Sequence, residues 1–431
     1  MNKKQIIDNL NVQGVKKACS LIERRIINNR YLIKKKSKKA RLHYEKIIND
    51  IKKYSNRPIR FAAYVIFDST YGMDLVFKMM QKNDCKWAPK VVVIPDISRG
   101  EKHKLDTYIK TKDFFVKKYG AEYVLDGWDS NKDDYYDLTN LFDVVYYANP
   151  YDNMVHKYHS IEYASTKKVL PIYVSYGYDV GRYTTLKRLK NPELNLMWKI
   201  FADTTYSYED YKKYEIVKGE NVLLAGYSKM DALKNYASSD RIRKKILITS
   251  HHTVDFNILP LSNFLKYYKL WLRLPSLFPE IDFVFRPHPL LFTTLINNAI
   301  WSNEKVDHYL KLLQKKGVEY SYGGDYLKLF SECDAMINDC GSFTVEWLYT
   351  GKPGCFVYNN KLKDKQLTNL MKEAIKKHTI AKSERDIIEF ITKISEGTKK
   401  KEFVMDPCVK KNIAINYPNV SEYIYNEISI I

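Results

Sequence analysis

Two segments in the last third of the chain decide how the sequence is interpreted: Ile281-Asp-Phe-Val-Phe-Arg-Pro-His-Pro289 and Asp334-Ala-Met-Ile-Asn-Asp-Cys-Gly-Ser-Phe-Thr-Val-Glu-Trp347. In the first segment an apolar run predicts a buried strand, and two prolines then fix the backbone on either side of His288. The second segment predicts a strand over 335–337, a loop of small residues and a helix over 343–349.

Both segments place polar groups where a strand ends. In an open parallel sheet, ligands bind beyond the carboxyl ends of the strands, so the two segments should converge on one crevice. Gly341 allows a ligand to approach the backbone, and Ser342 offers a hydroxyl or a helix cap. The N–H groups of a first helical turn attract phosphate. A structural histidine and an ordinary turn are the alternatives for each feature alone, and their joint occurrence favours a site.

The same residues resemble a known family. The Arg286-x-His288-Pro289 turn, the Asp-x-x-Ser loop from Asp339 to Ser342 and the later Gly-Lys-Pro at 351–353 resemble the CDP-glycerol glycerophosphotransferase family of teichoic acid and capsule polymerases. The resemblance extends from about residue 60 to the C-terminus. It implies a glycosyltransferase-B type fold and a CDP-glycerol or related CDP-polyol donor, with no cofactor.

The resemblance also implies roles for individual residues. His288 with Arg286, and then Gly341 with Ser342, would hold the donor diphosphate, while Glu346 would reach the nucleotide ribose. The N–H groups up to Phe343 and Thr344 belong to the same donor loop. The family loop usually carries two adjacent serines, and in this chain the first of them is Gly341, so one hydroxyl is missing and the backbone N–H remains.

A second strand end carries Ser250, His251 and His252, which are expected to reach the donor phosphates or base. Side chains of adjacent residues in an extended chain point to different sides, so at most one of the two histidines is expected to contact the ligand. The same reasoning predicts no metal, because this spacing does not place both imidazoles on one face.

The acceptor side is predicted in the loop that follows the strand at 169–174. Related polymerases carry a Trp-His-Gly loop whose histidine is the candidate base, whereas this chain has Tyr176 and Gly177 there. Tyr178 and Asp179 follow in the same loop. The remaining candidates are Asp152, after the Asn-Pro turn, and Asp68, after the first strand. A carboxylate is favoured as base because tyrosine, with a pKa near ~10, holds its proton at pH 7. Helix caps or turns are the alternative for all of these residues.

These residues predict direct transfer: an acceptor hydroxyl attacks the β-phosphorus of the donor and CMP leaves. The developing negative charge would be stabilised by His288, expected to be protonated beside phosphate, by Arg286 and by the N–H groups at 341–343.

The charge of the chain is concentrated at its start. The net charge is +21, and residues 1–57 hold 17 Lys or Arg side chains against four carboxylates, a local excess of +13. Apolar residues at helical spacings accompany this charge, which suits an anionic membrane face. A helix packed on the domain and a nucleic-acid contact are the alternatives. No nucleic-acid motif accompanies the charge, so no nucleic-acid partner is expected.

The rest of the chain alternates strands with helices, which predicts parallel sheets with helices on both faces. The expected organisation is a basic helical extension over 1–57, a Rossmann-like acceptor domain over 58–235, a Rossmann-like nucleotide-donor domain over 236–410, and a C-terminal helix over 411–431 that crosses back to the acceptor domain. Six cysteines without metal-ligand spacing, no signal peptide and no long apolar run predict a cytoplasmic protein, or one peripheral on the inner face of the membrane.

The leading hypothesis is therefore transfer of a polyol phosphate to a glycan or lipid-linked acceptor. A glycosyltransferase that uses a nucleotide sugar is the first alternative, because both kinds of donor contain a nucleoside diphosphate. A noncatalytic binder of an anionic polymer is the second.

Overall fold

The structure is a computed structural model that describes residues 30–53, 57–236, 242–254, 258–323, 325–397 and 403–431. Within these ranges the chain forms two parallel sheets, one on each side of the segment between Leu224 and Lys244. Helices cover both faces of each sheet. This confirms the predicted fold class, two Rossmann-like α/β domains.

The first sheet has seven parallel strands in the spatial order β3-β2-β1-β6-β7-β8-β9. These strands and a separate antiparallel pair (β4 and β5) are β1 Ile59–Val65, β2 Trp87–Val93, β3 Val124–Asp126, β4 Trp128–Asp129, β5 Asp134–Tyr135, β6 Val144–Tyr147, β7 Leu170–Val174, β8 Lys199–Ala202 and β9 Val222–Leu224. Alternate residues of β1 enter two different cores: Phe61 and Ala63 lie in one, and Ala62 and Tyr64 in the other. The sheet is therefore buried on both faces, which explains the continuous apolar runs of its strands.

The second sheet has six parallel strands in the order β12-β11-β10-β13-β14-β15. The strands are β10 Lys244–Thr249, β11 Ile281–Phe285, β12 Val318–Tyr320, β13 Ala335–Asn338, β14 Gly354–Val357 and β15 Thr379–Ala381. The direction of strand addition reverses between β10 and β13. Ligand sites of such sheets lie at this reversal, beyond the carboxyl ends of the two central strands.

The helices, in chain order, are α1 Arg30–Lys53, α2 Asp74–Lys82, α3 Glu101–Tyr119, α4 Ile161–Ala164, α5 Arg182–Leu189, α6 Thr205–Tyr214, α7 Phe264–Leu277, α8 Leu291–Asn297, α9 Asn303–Lys315, α10 Tyr326–Glu332, α11 Gly341–Glu346, α12 Asn369–Lys376, α13 Glu384–Glu396, α14 Pro407–Asn412 and α15 Val420–Ile428. None of the helices in the described ranges is long and apolar enough to cross a membrane.

Helix α1 is the described part of the basic N-terminal extension, and residues 1–29 lie outside the described ranges. One face of α1 packs on the first domain: Ser37 Oγ donates to the carbonyl of Asn195 at 2.6 Å, and Tyr44 Oη donates to that of Leu196 at 2.6 Å. The apolar stripe of this helix is therefore covered by protein, as in the alternative of a helix packed on the domain. Its lysine-rich opposite face remains exposed, and membrane contact stays a prediction.

The C-terminal helix α15 packs against the first domain. Val420, Ile424 and Ile428 lie in the same core as the strands β1 and β2. Its N-terminus is capped by Asp231, whose carboxylate accepts the backbone N–H groups of Val420 and Ser421 at 3.2 and 2.6 Å. The chain thus returns from the second domain to the first, and Asp231 is part of this contact.

Candidate functional site

The ends of β10 and β11 are held side by side beyond the strands themselves. The N–H of Arg286 donates to the carbonyl of Ile248 at 2.9 Å, and the N–H of His288 donates to that of Ser250 at 2.8 Å. Strand-like pairing therefore continues only one residue beyond β10, as far as Ser250. It places His288 next to the segment that starts at Ser250.

Three imidazoles gather at this point. The ring centroids of His252 and His288 are 4.2 Å apart, those of His251 and His252 are 4.3 Å apart, and those of His251 and His288 are 5.2 Å apart. The premise that the adjacent histidines point to different sides is therefore wrong, and which of them contacts the ligand stays a prediction. The physical reason is that β10 ends at Thr249, so the alternation of side chains in an extended strand does not apply to the two residues that follow the buried Ser250.

Hydrogen bonds fix which nitrogen carries the proton in two of the rings. Nδ1 of His288 accepts the backbone N–H of Leu290 at 3.1 Å. Nδ1 of His251 accepts the backbone N–H of Thr253 at 3.4 Å and therefore carries no proton, so Thr253 Oγ1, 2.9 Å from the same nitrogen, donates to the ring. In a neutral imidazole whose Nδ1 accepts, Nε2 carries the proton. Both rings thus keep a donor at Nε2.

All three rings are neutral near pH 7 in the structure. Burial lowers the pKa of His288 to about 4, with a smaller contribution from His252. Burial likewise lowers the pKa of His252, and it lowers that of His251 well below the usual range, assisted by the two neighbouring imidazoles. A buried cluster of imidazoles disfavours the charged form. The expectation of a protonated His288 concerned the phosphate-bound protein, and it stays a prediction.

The cluster has the composition of a metal site but not the hydrogen bonds of one. One nitrogen from each of His251, His252 and His288 lies within 4.8 Å of the others, close enough to hold a metal ion. The spacing argument against a metal is therefore wrong. A metal-bound histidine normally donates its other ring N–H to an acceptor. In His251 and His288 the other nitrogen, Nδ1, instead accepts, an arrangement that favours an anionic ligand, so the absence of a metal stays a prediction.

The third strand end, that of β13, joins the cluster through Asp339. Its carboxylate accepts the backbone N–H of His251 at 2.6 Å and also that of Asn263. Burial raises the pKa of Asp339 to about 7, although these two N–H groups act in the opposite direction. Asp339 therefore ties the histidine segment to the donor loop. Asp339 lies within the predicted loop motif, but nothing in the local sequence indicates this contact.

The donor loop itself has hydrogen-bond donors that are available to a ligand. Gly341 and Ser342 begin α11, and the side chain of the preceding residue, Cys340, does not cap this helix. Within the described ranges the hydroxyl of the half-buried Ser342 has no hydrogen-bond partner. Thr344 is fully buried, and its hydroxyl bonds to Asn338 Oδ1 at 2.6 Å, so it holds the loop instead of facing a ligand.

Two further side chains that are predicted to contact the donor substrate already form hydrogen bonds within the protein. Glu346 is buried and accepts a hydrogen bond from Tyr326 Oη, and burial raises its pKa while Lys229 opposes the shift. Arg286 donates to Ser321 Oγ at 2.9 Å, beyond the end of β12. Phe343 packs on the ring of Tyr326 with centroids 4.7 Å apart. The ribose contact of Glu346 stays a prediction.

The predicted acceptor loop lies directly against the donor loop. A Cβ built on Gly177 would lie 3.5 Å from Ser342 Oγ. Tyr178 is buried, and its hydroxyl is 2.7 Å from that of Tyr349 in the second domain. Tyr176 provides a carbonyl that accepts from Tyr227 Oη at 2.9 Å. The carboxyl ends of the two sheets therefore face each other at this point.

The predicted bases differ in their surroundings. Asp179 forms an ion pair with the buried side chain of Arg188. The side chain of Asp179 itself is 22% exposed. Both oxygens of Asp152 accept backbone N–H groups at the start of α4, from Ile161 at 2.7 Å and Glu162 at 3.0 Å. Asp152 is thus held as a helix cap, and burial raises its pKa to about 7.

Asp68 lies at the end of β1 in a single helical turn, where its carboxylate accepts the N–H of Ser69 at 2.9 Å. Lys110 lies 3.8 Å from the same carboxylate. Among the described residues, none of the contacts of Asp68 reaches the donor loop, and its acceptor role stays a prediction.

The sequence matches no protein-family model and no curated protein. Solved structures share its fold. A UDP-N-acetylglucosamine 2-epimerase from Neisseria meningitidis bound to UDP-GlcNAc has 17% identity and a TM-score of 0.53, over 86% of this chain and 99% of that one. A variant of the wall teichoic acid polymerase TagF soaked with CDPG has 13% identity and a TM-score of 0.51, over 93% and 96%. At this identity the similarity shows the fold, and it agrees with the glycosyltransferase-B type arrangement of two facing Rossmann-like domains.

Proposed function

We propose that the protein transfers glycerol phosphate, or a related polyol phosphate, from a CDP-activated donor to a hydroxyl group of a teichoic acid-like or other cell-surface glycan acceptor. The observation that carries this proposal is the convergence of three strand ends on one point. His288, the adjacent His251 and His252, and the uncapped start of α11 at Gly341 together offer hydrogen-bond donors. Such a set suits a diphosphate.

The imidazoles would bind the diphosphate first as neutral donors. The Nε2 protons of His251 and His288 are available because backbone and threonine donors occupy Nδ1. A bound diphosphate brings negative charge next to the rings and raises their pKa values. Binding is therefore expected to draw protons toward the cluster, so that charge on the leaving phosphate is balanced as it develops.

The reaction forms one bond and breaks one. The acceptor oxygen attacks the β-phosphorus, which carries the glycerol, and the bond from that phosphorus to the bridging oxygen breaks. CMP leaves with the bridging oxygen, and the hydroxyl proton passes to a base. Asp179 is the better of the two predicted catalytic carboxylates because its loop touches Ser342, whereas both oxygens of Asp152 are already bonded.

The solved structures support the proposal at the level of the fold. The TagF variant was soaked with CDPG and the Neisseria epimerase holds UDP-GlcNAc, so structures of this fold are found with nucleotide-linked ligands. The histidine-and-loop motif that resembles the glycerophosphotransferases favours the CDP donor over the UDP-sugar.

A donor screen tests the proposal. CDP-glycerol, CDP-ribitol and UDP-N-acetylglucosamine are each offered with a short soluble polyol-phosphate acceptor, and release of CMP or UDP is measured. We expect CMP release from a CDP-polyol, and we expect His288→Ala to reduce it by about 100-fold, the loss typical of removing one transition-state donor. Turnover of UDP-N-acetylglucosamine alone would refute the proposed donor.

A further inference from the structure

The loop at residues 176–181 belongs to the first domain by sequence but is bonded to the second. Gly181 forms an isolated bridge with Leu367. The N–H of Thr368 donates to the carbonyl of Val180 at 3.1 Å, and Thr368 Oγ1 donates to that of Asp179 at 2.7 Å. The outer half of this loop is therefore fastened to the segment that leads into α12.

Val180 is the side chain of this loop that meets the donor loop. It packs against the apolar core of the second domain. A Cβ built on Gly341 would lie only 2.9 Å from Val180 Cγ2, closer than real Cβ atoms approach a neighbour. Gly341 does not have the positive φ that would favour glycine, so its lack of a side chain is explained by this contact.

The contact also accounts for the departure from the two-serine loop of the resembling family. Val180 fills the space that a side chain at position 341 would occupy. The apolar isopropyl group covers the start of α11, next to N–H groups that no side chain caps. Apolar cover lowers the local dielectric and strengthens a hydrogen bond from an amide to an anion.

We propose that Val180 is a positioning residue of the donor site: its packing on Gly341 sets the place of the donor loop, and the first-domain loop at residues 176–181 forms one wall of the diphosphate site. This inference rests on the proposed function, because it assigns the wall to the same donor. It makes the first domain a determinant of donor affinity as well as of acceptor binding.

A double-mutant cycle at positions 180 and 341 tests the inference, with CDP affinity measured by calorimetry and Tm by thermal unfolding. Gly341→Ala is expected to weaken CDP binding at least tenfold, because the added methyl collides with Val180. Val180→Ala removes the colliding atoms, so Val180→Ala in the Gly341→Ala background is expected to restore affinity to within about threefold of that of Val180→Ala alone.

The outcomes separate the inference from the proposed function. Wild-type protein that binds neither CDP nor CDP-glycerol contradicts the proposed donor. Wild-type protein that binds CDP, with additive losses in the double variant, contradicts the Val180–Gly341 contact. The third outcome is coupling between the two substitutions in Tm, with wild-type CDP affinity in every variant. It would show that Val180 packs on Gly341 but does not position the donor site, and it also overturns the inference.

Discussion

The imidazole rings of His252 and His288 lie 4.2 Å apart, although they follow different strands of the second sheet. Nδ1 of His252 is buried and has no hydrogen-bond partner within the described ranges. A buried polar atom without a partner costs free energy, about 1–3 kcal/mol, unless a ligand or water satisfies it. The pair therefore has an unmet hydrogen-bonding requirement at the place where the proposed diphosphate would bind.

The histidine cluster is predicted to bind an anion and not to depend on a metal. Exhaustive dialysis against EDTA is expected to leave the affinity for CDP within about twofold of the untreated protein, because the Nδ1 atoms of His251 and His288 accept hydrogen bonds instead of donating them. Calorimetry before and after dialysis, with metal analysis of both samples, provides the measurement. Loss of affinity that zinc restores would refute this prediction.

The tyrosine pair between the domains should respond asymmetrically to substitution. Tyr349 Oη donates to the carbonyl of Ile413 at 3.1 Å, so Tyr178 is the donor in the 2.7 Å contact between the two hydroxyls. Tyr178→Phe loses one hydrogen bond, about 1 kcal/mol, whereas Tyr349→Phe leaves two buried groups without a partner and is expected to cost about 2–3 kcal/mol. Chemical denaturation of both variants checks the order. Equal losses would contradict the assigned directions.

Stability should fall with rising pH because of Glu215. Burial raises its pKa to about 8, although Arg188 opposes the shift, whereas an unfolded glutamate has a pKa near ~4.3. Between these two pKa values the folded state holds the proton more tightly than the unfolded state does. The free energy of unfolding therefore falls by about 1.4 kcal/mol for each pH unit in this range. Glu215→Gln cannot ionise, and the decline of Tm between pH 5 and about 8 should become shallower. A variant with the same slope as the wild type would contradict this role.

The exposed face of α1 is predicted to contact anionic membranes. Lys35, Lys38 and Lys39 are exposed on this helix, while Ser37 and Tyr44 bond to the first domain. Each lysine near such a surface contributes about 1 kcal/mol of attraction, so replacing all three by serine should reduce co-sedimentation with phosphatidylserine vesicles by about 100-fold. Tm should change little because the side chains are exposed. Wild-type protein that does not sediment with these vesicles would refute the prediction.

Much of the second domain could be predicted from local pattern. The strand predicted at the start of the first segment is β11 Ile281–Phe285, and the strand predicted over 335–337 is β13 Ala335–Asn338. Apolar runs define such elements locally, and the ends of the strands then locate the site. The helix predicted over 343–349 is α11 Gly341–Glu346, followed by a 3-10 turn over Trp347–Thr350.

Contacts between distant parts of the chain could not be predicted in this way. The gathering of His251 and His252 beside His288 depends on the chain leaving strand geometry after Thr249, and no local pattern marks that change. Thr368 bonds to Asp179, 189 residues away, and nothing in either segment indicates the partner. The low pKa of His288 follows from its burial and, to a smaller extent, from His252, and neither effect is visible in the local sequence.

The most direct test of the account uses two substitutions of His288 and the affinity for CDP-glycerol. Asparagine can accept the N–H of Leu290 as Nδ1 does but lacks a donor at the position of Nε2, whereas glutamine can place an amide donor there. The account predicts that the wild type binds CDP-glycerol, that His288→Asn binds at least tenfold more weakly with an unchanged Tm, and that His288→Gln lies between them. Equal CDP-glycerol affinity in all three proteins, measured by calorimetry, would contradict the claim that this imidazole holds the donor diphosphate.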